Sequence, residues 1–390
     1  MKQKIAIIIN TLATGGAEKT AGLLMNQLHA EWEIHLLMFD TRNIEFPIPD
    51  DVKIYQIGRP TSAEAKPIQV LKLPWQALQI KKYLQLHGIR LVFSILNRPN
   101  FIAGYLKLFG FKGKTIINER SNASYYYTNK TLGGRLGRFL VKRLYQRADC
   151  IITNSIFSKN DLQETFGLKN NIITISNGIP YQAIQQRLAL AELPFDKKPG
   201  EFIFCHVGRF HEDKNQLLLL TAFAKMKEKQ SRLLLVGKDI PKQFKQKVAE
   251  LGLEERVILK DLQTDIWPFY KISDAFVLSS NVEGYPNVLL EALAAGLPVI
   301  STDCKWGPRE ILAPDTQYPA NGIESIEWAE YGILIRCGDS QNMADAMDKL
   351  IVDSEKYTTY KQKTSSMEQL FSEEMAIHLF KTTISSFHTI

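Results

Sequence analysis

Short apolar runs rich in β-branched residues alternate with segments of helical periodicity along most of this chain. In the first half the predicted strands lie at 4–9, 33–39, 52–57, 91–96, 114–118, 149–153 and 171–175. The predicted helices between them lie at 17–29, 68–87, 98–108, 132–147 and 156–166. Strands that are apolar almost throughout, separated by helices, are typical of a parallel sheet covered on both faces.

The alternation restarts after the segment Pro194–Gly200. In the second half the predicted strands lie at 202–208, 232–236, 256–260, 275–279, 297–301 and 332–336. A chain of 390 residues is too long for one ordinary core. The sequence therefore predicts two Rossmann-like, doubly wound α/β domains. Ligands of such sheets bind at the carboxyl ends of the strands, so we expect a site in the cleft between the domains.

Boundaries follow from the same pattern. We predict a first domain over 1–185, a linker over 186–200 and a second domain over 201–354. The remaining residues, 355–390, read as helices, the last of which is expected to pack back on the first domain.

Charge is distributed unevenly between the two halves. Residues 1–185 carry 24 Lys and Arg against 12 Asp and Glu, whereas 186–390 carry 24 against 29. A basic half suggests an anionic partner, and nucleic acid, a membrane surface and a lipid pyrophosphate all have that chemistry. Because no nucleic-acid-binding module is recognisable, we expect no nucleic acid partner.

The cysteines and the apolar segments bear on the compartment. The four cysteines are far apart and form no C-x-x-C pair, which favours reduced thiols over a disulfide or metal site. The N-terminal apolar run is too short for a secretory signal and reads as a strand. No run approaches the ~18–20 apolar residues of a transmembrane helix. We expect a cytoplasmic protein, with a peripheral location on the inner face of the membrane open.

A glycine pair follows the first predicted strand. Gly15 and Gly16 separate that strand from a helix, within the loop Asn10–Glu18. Glycines allow close approach of a ligand to the backbone, and a helix N-terminus offers free N–H groups, so this loop can seat a phosphate. A tight strand-to-helix turn without a ligand explains the same residues equally well.

The second half holds two further motifs. Arg209 and Lys214 flank a loop at the end of a predicted strand, where two cations can neutralise a diphosphate. Taken alone they could be ordinary surface cations. In EGYPNVLLEALAAG, residues 283–296, Glu283 lies in a loop and Glu291 about one turn inside a helix, where a carboxylate can accept hydrogen bonds from two ribose hydroxyls. The backbone amides of Gly284, Tyr285, Asn287 and Val288 would point at a diphosphate, and Pro286 is the turn residue that precedes the helix.

Together these motifs resemble glycosyltransferase family 4, the large retaining family of GT-B fold. The family pattern is matched by Gly15-Gly16, by Gly208, Arg209, Lys214 and Asn215, by the E-x7-E pair Glu283 and Glu291, and by Gly307–Ile311. The resemblance is strong over 203–313 and moderate over 1–30 and 114–180. It includes Ser176–Ile179, where Asn177 is a candidate cleft residue.

The resemblance implies roles: the N-terminal domain, 1–185, would be the acceptor side, and the domain over 201–354 would bind the nucleotide sugar. Arg209 and Lys214 would bind the donor diphosphate, Glu291 the ribose, Glu283 the transferred sugar, and Gly16 the distal phosphate. It implies transfer of a hexose or N-acetylhexosamine, with retention, from a nucleotide sugar such as a UDP-sugar. The acceptor would be a cell-surface glycan such as lipopolysaccharide or a glycoprotein oligosaccharide, carried on a polyprenyl pyrophosphate. No cofactor and no catalytic metal are expected, and the chain contains no D-x-D.

One segment departs from the family pattern. Many members carry a histidine in a segment like S-E-H-S-N, whereas this chain has Asn118-Glu119-Arg120-Ser121-Asn122. Arginine cannot act as a base at neutral pH. We therefore predict Arg120 as a cation that contacts substrate and Glu119 as an acceptor-side partner. An ordinary ion pair between Glu119 and Arg120 is the alternative.

A basic amphipathic helix is predicted within 131–148. Its cations Arg135, Arg138, Lys142 and Arg143 suit an anionic membrane surface or a lipid pyrophosphate. Leu136, Phe139, Leu140 and Leu144 would be its packing face in an ordinary surface helix, and the two interpretations stand near even. Trp75 and the pair Lys81-Lys82 could extend the same basic face.

Other functions fit the fold less well. A catalytically silent, glycosyltransferase-like binding subunit is disfavoured by the intact Arg209, Lys214, Glu283 and Glu291. A GT-B-fold epimerase or phosphorylase keeps the fold and changes the chemistry, but no lysine lies in an evident pyridoxal-phosphate context. A nicotinamide dehydrogenase is weak because the first turn lacks the dinucleotide fingerprint.

Overall fold

A computed structural model describes residues 2–13, 15–42, 44–59, 66–305, 307–319 and 322–387. Thr14, in the predicted phosphate loop, lies outside these ranges. The chain forms two compact units, 1–176 with 374–390, and 177–373. Both are α/β, as the sequence predicts.

Unit 1 is built on a seven-stranded parallel sheet of order β3-β2-β1-β4-β5-β6-β7. Its strands are β1 (Gln3–Ile9), β2 (Trp32–Met38), β3 (Lys53–Gln56), β4 (Leu91–Ile95), β5 (Lys114–Glu119), β6 (Cys150–Thr153) and β7 (Ile172–Thr174). Its first helices are α1 (Gly16–Leu28), α2 (Lys66–Leu86), α3 (Asn97–Leu108), α4 (Ala123–Tyr126), α5 (Leu132–Leu144) and α6 (Ile156–Asn160).

Unit 2 carries a second seven-stranded sheet of order β10-β9-β8-β11-β12-β14-β13, in which only the β13–β14 pairing is antiparallel among those described. Its strands are β8 (Phe202–Val207), β9 (Ser231–Val236), β10 (Val257–Lys260), β11 (Ala275–Leu278), β12 (Val299–Thr302), β13 (Glu327–Trp328) and β14 (Ile333–Ile335). Its helices are α7 (Tyr181–Leu190), α8 (Gln216–Lys225), α9 (Ile240–Glu250), α10 (Trp267–Ile272), α11 (Asn287–Ala294), α12 (Pro308–Leu312), α13 (Ser340–Val352), α14 (Ser354–Lys363) and α15 (Met367–Leu370).

The apolar strands are buried on both faces because helices cover both sides of each sheet. In β1, Ile5, Ile7 and Ile9 pack on one face in a cluster with α1. Ala6 and Ile8 pack on the other face, in a cluster with α2, α3 and α5. This two-sided burial explains why the strand reads as a continuous apolar run.

The observed division of the chain differs from the predicted boundaries. The change between units falls at 176/177 rather than at 185/186, and α7 occupies the start of the predicted linker. Ile179 and Ile184 are buried in a cluster with residues of α10 and α11, which ties this segment to unit 2. The sequence could not show this because the partners lie about a hundred residues away.

The last helix, α16 (Glu373–Ser386), returns to unit 1. Phe380 and Ile384 are buried in the cluster that contains β1 and α1. The Phe380 ring meets Phe93 edge-on, with centroids 6.2 Å apart. Across the described ranges, no helix is both long and apolar enough to cross a bilayer.

Close packing of α3 against α5 depends on Gly104. A Cβ at this position would lie 2.5 Å from the Leu144 Cβ and 2.8 Å from the Leu144 carbonyl oxygen. We expect Gly104→Ala to lower the free energy of unfolding by about 1–3 kcal/mol, because the helices must separate. The urea midpoint measures this change.

A matched control is Gly133→Ala in α5, where nothing lies within 4 Å of the added methyl group. This variant should leave the midpoint unchanged or raise stability by about 0.5 kcal/mol, because alanine favours the helix. Equal midpoints for Gly104→Ala and Gly133→Ala would contradict the close-packing argument.

Candidate active site

Two loops leave neighbouring strands at the carboxyl edge of the second sheet. One follows β8 and contains a short 3₁₀ turn, Glu212–Lys214, and the other follows β11. The Ser279 hydroxyl donates to the Lys214 carbonyl at 2.9 Å, and the Asn281 amide donates to the Asp213 carbonyl at 2.7 Å. These two bonds fix the backbone of the β8 loop to the β11 loop.

The bracing brings Lys214 and Glu283 together, although 69 residues separate them. Lys214 Nζ lies 2.6 Å from Glu283 Oε1, and the Ser280 hydroxyl donates to the same oxygen at 2.6 Å. The two side chains are 23% and 9% exposed. An ammonium has three donors, so Lys214 can hold Glu283 and still donate to a phosphate oxygen.

Arg209 follows β8 directly, on the same loop. Its backbone is fixed, because Gln216 Nε2 donates to the Arg209 carbonyl at 3.0 Å and a Cβ at Gly237 would collide with the Gly208 carbonyl. The Arg209 residue itself is exposed. The loop therefore presents a guanidinium to solvent from a rigid backbone, close in sequence to Lys214.

Glu291 lies in α11, one turn from the helix start, and is half-buried. The hydroxyl of the buried Tyr270 lies 3.4 Å from Glu291 Oε2 and can donate to it. Burial, with a smaller contribution from the Glu291 charge, raises the pKa of Tyr270 well above its ordinary value. Tyr270 thus remains protonated and is a donor to this carboxylate.

The turn Gly284–Pro286 that starts α11 is held from two sides. Gly307, at a φ of 87°, lies so close that a Cβ there would be 2.5 Å from Pro286 Cδ. Asn177 Nδ2 donates to Asn287 Oδ1 at 2.5 Å and lies 3.5 Å from the Tyr285 carbonyl. The first N–H groups of a helix have no partner within it, so a fixed turn aims the Asn287 and Val288 amides as a set.

Asn177 was predicted as an acceptor-side or cleft residue. In the structure it belongs to unit 2, where it supports the first turn of α11, and its contact with a substrate stays a prediction. The sequence could not show these contacts, because the two hydrogen-bond partners lie 108 and 110 residues away and leave no local signal.

A buried ion network lies behind the same turn, and sequence reasoning missed it. The Arg309 guanidinium contacts Asp303 at 2.7 Å and Glu327 at 2.6 Å, and it donates to Thr316 Oγ1 at 2.9 Å. Arg309 and Asp303 are almost fully buried. This network fixes the segment after β12 that carries Gly307. The available signal in the sequence was the oppositely charged pair Asp303 and Arg309, which flanks the Gly307-Pro308 turn.

In unit 1, Gly15 and Gly16 lie where α1 begins. Gly15 is extended, at a φ of 173°, and the Glu18 carboxylate folds back against it. Burial raises the pKa of Glu18, and the charge of Arg120 opposes that rise. Burial lowers the pKa of Arg120 to about 10, which still leaves it charged at neutral pH. Arg120 thus lies within electrostatic range of the α1 N-terminus.

Glu119 is not an exposed partner. It is buried, accepts from the Tyr145 hydroxyl at 2.6 Å, and accepts from the Ser121 amide at 2.9 Å and the Ser121 hydroxyl at 2.6 Å. Burial raises its pKa. The predicted acceptor-side role is therefore corrected to a structural one, in which Glu119 shapes the chain around Arg120.

A strained backbone residue lies at the carboxyl edge of the first sheet, the edge at which Arg120 follows β5. Leu96, directly after β4, has φ 75° and ψ 164°, a region populated almost only by glycine. Its amide donates to the Asn118 carbonyl at 3.2 Å, which ties it to the end of β5. The strained residue and Arg120 thus follow adjacent strands.

The basic helix α5 presents three of its four predicted cations to solvent, Arg135, Lys142 and Arg143. Arg138 differs, because its guanidinium lies 4.8 Å from the Phe166 ring centroid and donates to the Tyr127 carbonyl at 3.3 Å. Two of the four predicted packing residues, Leu136 and Phe139, are exposed instead. Gly134 and Gly137 allow the opposite side of the helix to pack against the Tyr127–Thr128 segment.

Known proteins share the fold of this chain. Over 99% of this chain and all of the other, the structure matches sucrose-phosphate synthase from Thermosynechococcus elongatus, with a TM-score of 0.77 and 19% identity. HepE from Anabaena, solved in complex with UDP, matches 98% of this chain and all of its own, with a TM-score of 0.74 and 19% identity. These likenesses define the GT-B glycosyltransferase fold.

The sequence comparisons define the family. The model of Glycosyltransferase Family 4 matches residues 14–182, and that of Glycosyl transferases group 1 matches 192–367. An N-acetylgalactosamine-N,N'-diacetylbacillosaminyl-diphospho-undecaprenol 4-alpha-N-acetylgalactosaminyltransferase of Campylobacter jejuni is 30% identical over 95% of this chain and 96% of its own length. The chain belongs to glycosyltransferase family 4 and is a glycosyltransferase.

A buried histidine supports the β8 loop. His206 Nδ1 donates to the Val277 carbonyl at 2.9 Å, which joins β8 to β11. Burial, with a smaller contribution from Lys214, lowers the pKa of His206 to about 4. The ordinary value is about 6.5. Between these values the unfolded chain binds a proton that the folded chain does not, so stability falls as pH decreases through this window.

We expect His206→Asn to reduce this acid sensitivity. On going from pH 7 to pH 5, the variant should lose less free energy of unfolding than the wild type, by on the order of 2 kcal/mol. Urea unfolding at the two pH values measures the difference. His378→Asn, at an exposed position of α16, is the control and should behave like the wild type. Equal pH dependence for His206→Asn and the wild type would contradict a neutral His206.

Proposed function

We propose that this glycosyltransferase moves a hexose or N-acetylhexosamine, with retention, from a UDP-sugar to a lipid-linked glycan in cell-surface polysaccharide or glycoprotein-glycan synthesis. The observation that carries the proposal is the 2.6 Å contact between Lys214 and Glu283 at the carboxyl edge of the second sheet. The Campylobacter relative, by its name, transfers N-acetylgalactosamine to a saccharide on diphospho-undecaprenol. That chemistry supports a similar donor and acceptor class here.

Unit 2 supplies the donor site in this proposal. Arg209 and Lys214 bind the diphosphate, the one as a planar fork and the other as a compact charge. Glu291 accepts hydrogen bonds from the ribose hydroxyls, with Tyr270 fixing one of its oxygens. The amides at the start of α11 add donors to the same diphosphate.

Glu283 acts on the transferred sugar. Its position beside Lys214 places a negative charge next to the cation that holds the leaving diphosphate. A carboxylate there favours the positive charge that develops on the sugar ring as the glycosidic bond breaks. Ser280 keeps the carboxylate in place through its hydrogen bond to Oε1.

Unit 1 supplies the acceptor side. In this proposal the Gly15-Gly16 loop directs N–H groups at the start of α1 toward the distal phosphate, and Arg120 provides a positive charge near the same helix terminus. Glu119 has no direct contact with substrate in this scheme. It keeps the β5 terminus in shape through Tyr145 and Ser121.

Transfer follows a front-face course. The bond from the anomeric carbon to the phosphate oxygen breaks, and the acceptor hydroxyl oxygen forms the new bond on the same face of the sugar. The hydroxyl proton passes to the leaving phosphate oxygen, so no protein base is needed. Arg209, Lys214 and the α11 amides stabilise the departing negative charge, and we propose that no metal ion takes part.

The exposed cations of α5, Arg135, Lys142 and Arg143, suit an anionic lipid surface or the acceptor's pyrophosphate. We place the protein in the cytoplasm, at the inner face of the membrane, where a lipid-linked acceptor would be accessible.

The donor assignment predicts a large effect of removing one charge. Lys214→Ala or Glu291→Gln should lower kcat/KM for the nucleotide sugar, because a contact to the departing nucleotide is lost. The loss of transition-state stabilisation should be about 2–4 kcal/mol. This corresponds to about 30- to 1,000-fold in rate. The control is Lys242→Ala, an exposed lysine of α9, which should leave kcat/KM unchanged. Wild-type kinetics for Lys214→Ala would remove the donor site from this loop.

The stereochemical and metal assignments have a separate test. With a UDP-sugar and a defined acceptor, NMR of the isolated product should show the donor's anomeric configuration. Turnover should persist in EDTA, because cationic side chains and helix amides take the role of a metal. An inverted product or an activity abolished by EDTA and restored by Mg²⁺ or Mn²⁺ would refute the corresponding part of the proposal.

A further inference from the structure

Helix α2 is apolar on its solvent side as well as on its buried side. Leu73, Ala77, Ile80 and Leu84 are buried in the core of unit 1. The exposed positions of the same helix from 68 to 78 are all occupied by large apolar residues, Ile68, Leu71, Trp75 and Leu78. Their spacing of three and four residues puts them in one stripe. A surface helix normally carries polar residues on that side, so this stripe requires a partner.

The stripe is strongly exposed. Leu71 is 80% and Trp75 59% solvent-accessible. Isolated exposed apolar residues are ordinary on protein surfaces, whereas four in a row along nearly three helical turns are not. Trp75 also has the amphipathic ring that is enriched at membrane–water interfaces.

Helix α5 bears a second exposed apolar ridge on the same helical layer. Leu132 is 83% exposed, and Leu136 and Phe139 are also exposed, at helical spacing. Helix α3 packs against both α2 and α5, and all three cover the same sheet face. We call the outer surface of this layer, formed by the exposed stripes of α2 and α5, the α2–α5 face.

The charge of this layer has one sign. In sequence, α2, α3 and α5 contain no aspartate or glutamate at all. They contain ten Lys and Arg, of which Lys82, Arg135, Lys142 and Arg143 are exposed. Apolar side chains bordered by cations, without acids, match the two layers of an anionic lipid surface, acyl chains below and phosphates above.

A second copy of the chain fits this surface less well. In a two-fold dimer the same patch faces itself, so the cations of one copy would oppose those of the other. Like charges across an interface are unfavourable and act against that association. A negatively charged lipid monolayer satisfies the apolar stripe and the cations together.

We propose that the α2–α5 face docks on an anionic membrane, with Leu71 and Trp75 of α2 entering the boundary between headgroups and acyl chains. The proposal builds on the proposed lipid-linked acceptor, which would lie in the same leaflet. It adds a contact that basic charge alone does not provide, because apolar insertion persists when salt screens the cations.

The test is co-sedimentation with vesicles of phosphatidylcholine, alone or with phosphatidylglycerol. The wild type should bind the mixed vesicles and bind pure phosphatidylcholine weakly. The double variant Leu71→Glu with Trp75→Glu should bind the mixed vesicles at least about tenfold more weakly, because two apolar side chains that would enter the bilayer are lost. The matched control is Leu190→Glu with Leu262→Glu, two exposed apolar residues of unit 2, which should bind like the wild type.

Turnover measurements separate the outcomes. Turnover with a water-soluble glycan acceptor should be the same in the double variant and the wild type, which shows intact folding. If neither the wild type nor the double variant turns over an acceptor, but vesicle binding follows the expected pattern, the proposed transfer reaction fails. The docking proposal stands in that case.

Vesicle binding equal to the wild type in the Leu71→Glu, Trp75→Glu variant would overturn the proposal. So would a wild type that ignores anionic vesicles. A wild-type dimer in analytical ultracentrifugation that the double variant dissolves, without any change in vesicle binding, would assign the face to a second copy instead.

Discussion

The hydrogen bonds between the β8 loop and the β11 loop are the constraint on which the candidate donor site depends. Ser279 and Asn281 hold the backbone of Asp213 and Lys214, and only then do Lys214 and Glu283 meet. A parallel sheet makes this possible, since strands distant in sequence end at the same edge. The Lys214–Glu283 contact is therefore a product of backbone geometry first and of charge second.

Much of this arrangement could be predicted. The β-branched runs gave the position of most strands, because two-sided burial leaves a continuous apolar signal. Short elements such as α10 and the antiparallel β13 were not predicted, because a hydrophobic period cannot be recognised over so few residues. The boundary between units escaped for another reason. Residues 177–190 join unit 2 through Ile179 and Ile184, and tertiary partners leave no mark in the local sequence.

The candidate site shows the same limit. Motifs identified Lys214, Glu283 and Glu291, yet they could not tell that Glu119 is buried under Tyr145 or that Arg138 packs on Phe166. Glu119 is the last residue of β5 and bonds to Tyr145 and Ser121, whereas Arg120 lies just beyond the strand and interacts with Glu18, a difference that their adjacency in sequence does not show. The Arg309 network, closed by Glu327, was equally out of reach because its members come from three separate segments.

The two-sided apolarity of α2 has a consequence for handling the protein. From residue 68 to 78 this helix has large apolar residues on its exposed side as well as in the core, so apolarity alone does not select the side that faces the core. In detergent-free buffer the outward stripe stays in contact with water, and this apolar surface lowers the solubility of the chain. Solubility of this chain should therefore be governed by what is supplied to cover one helix, more than by its overall positive charge.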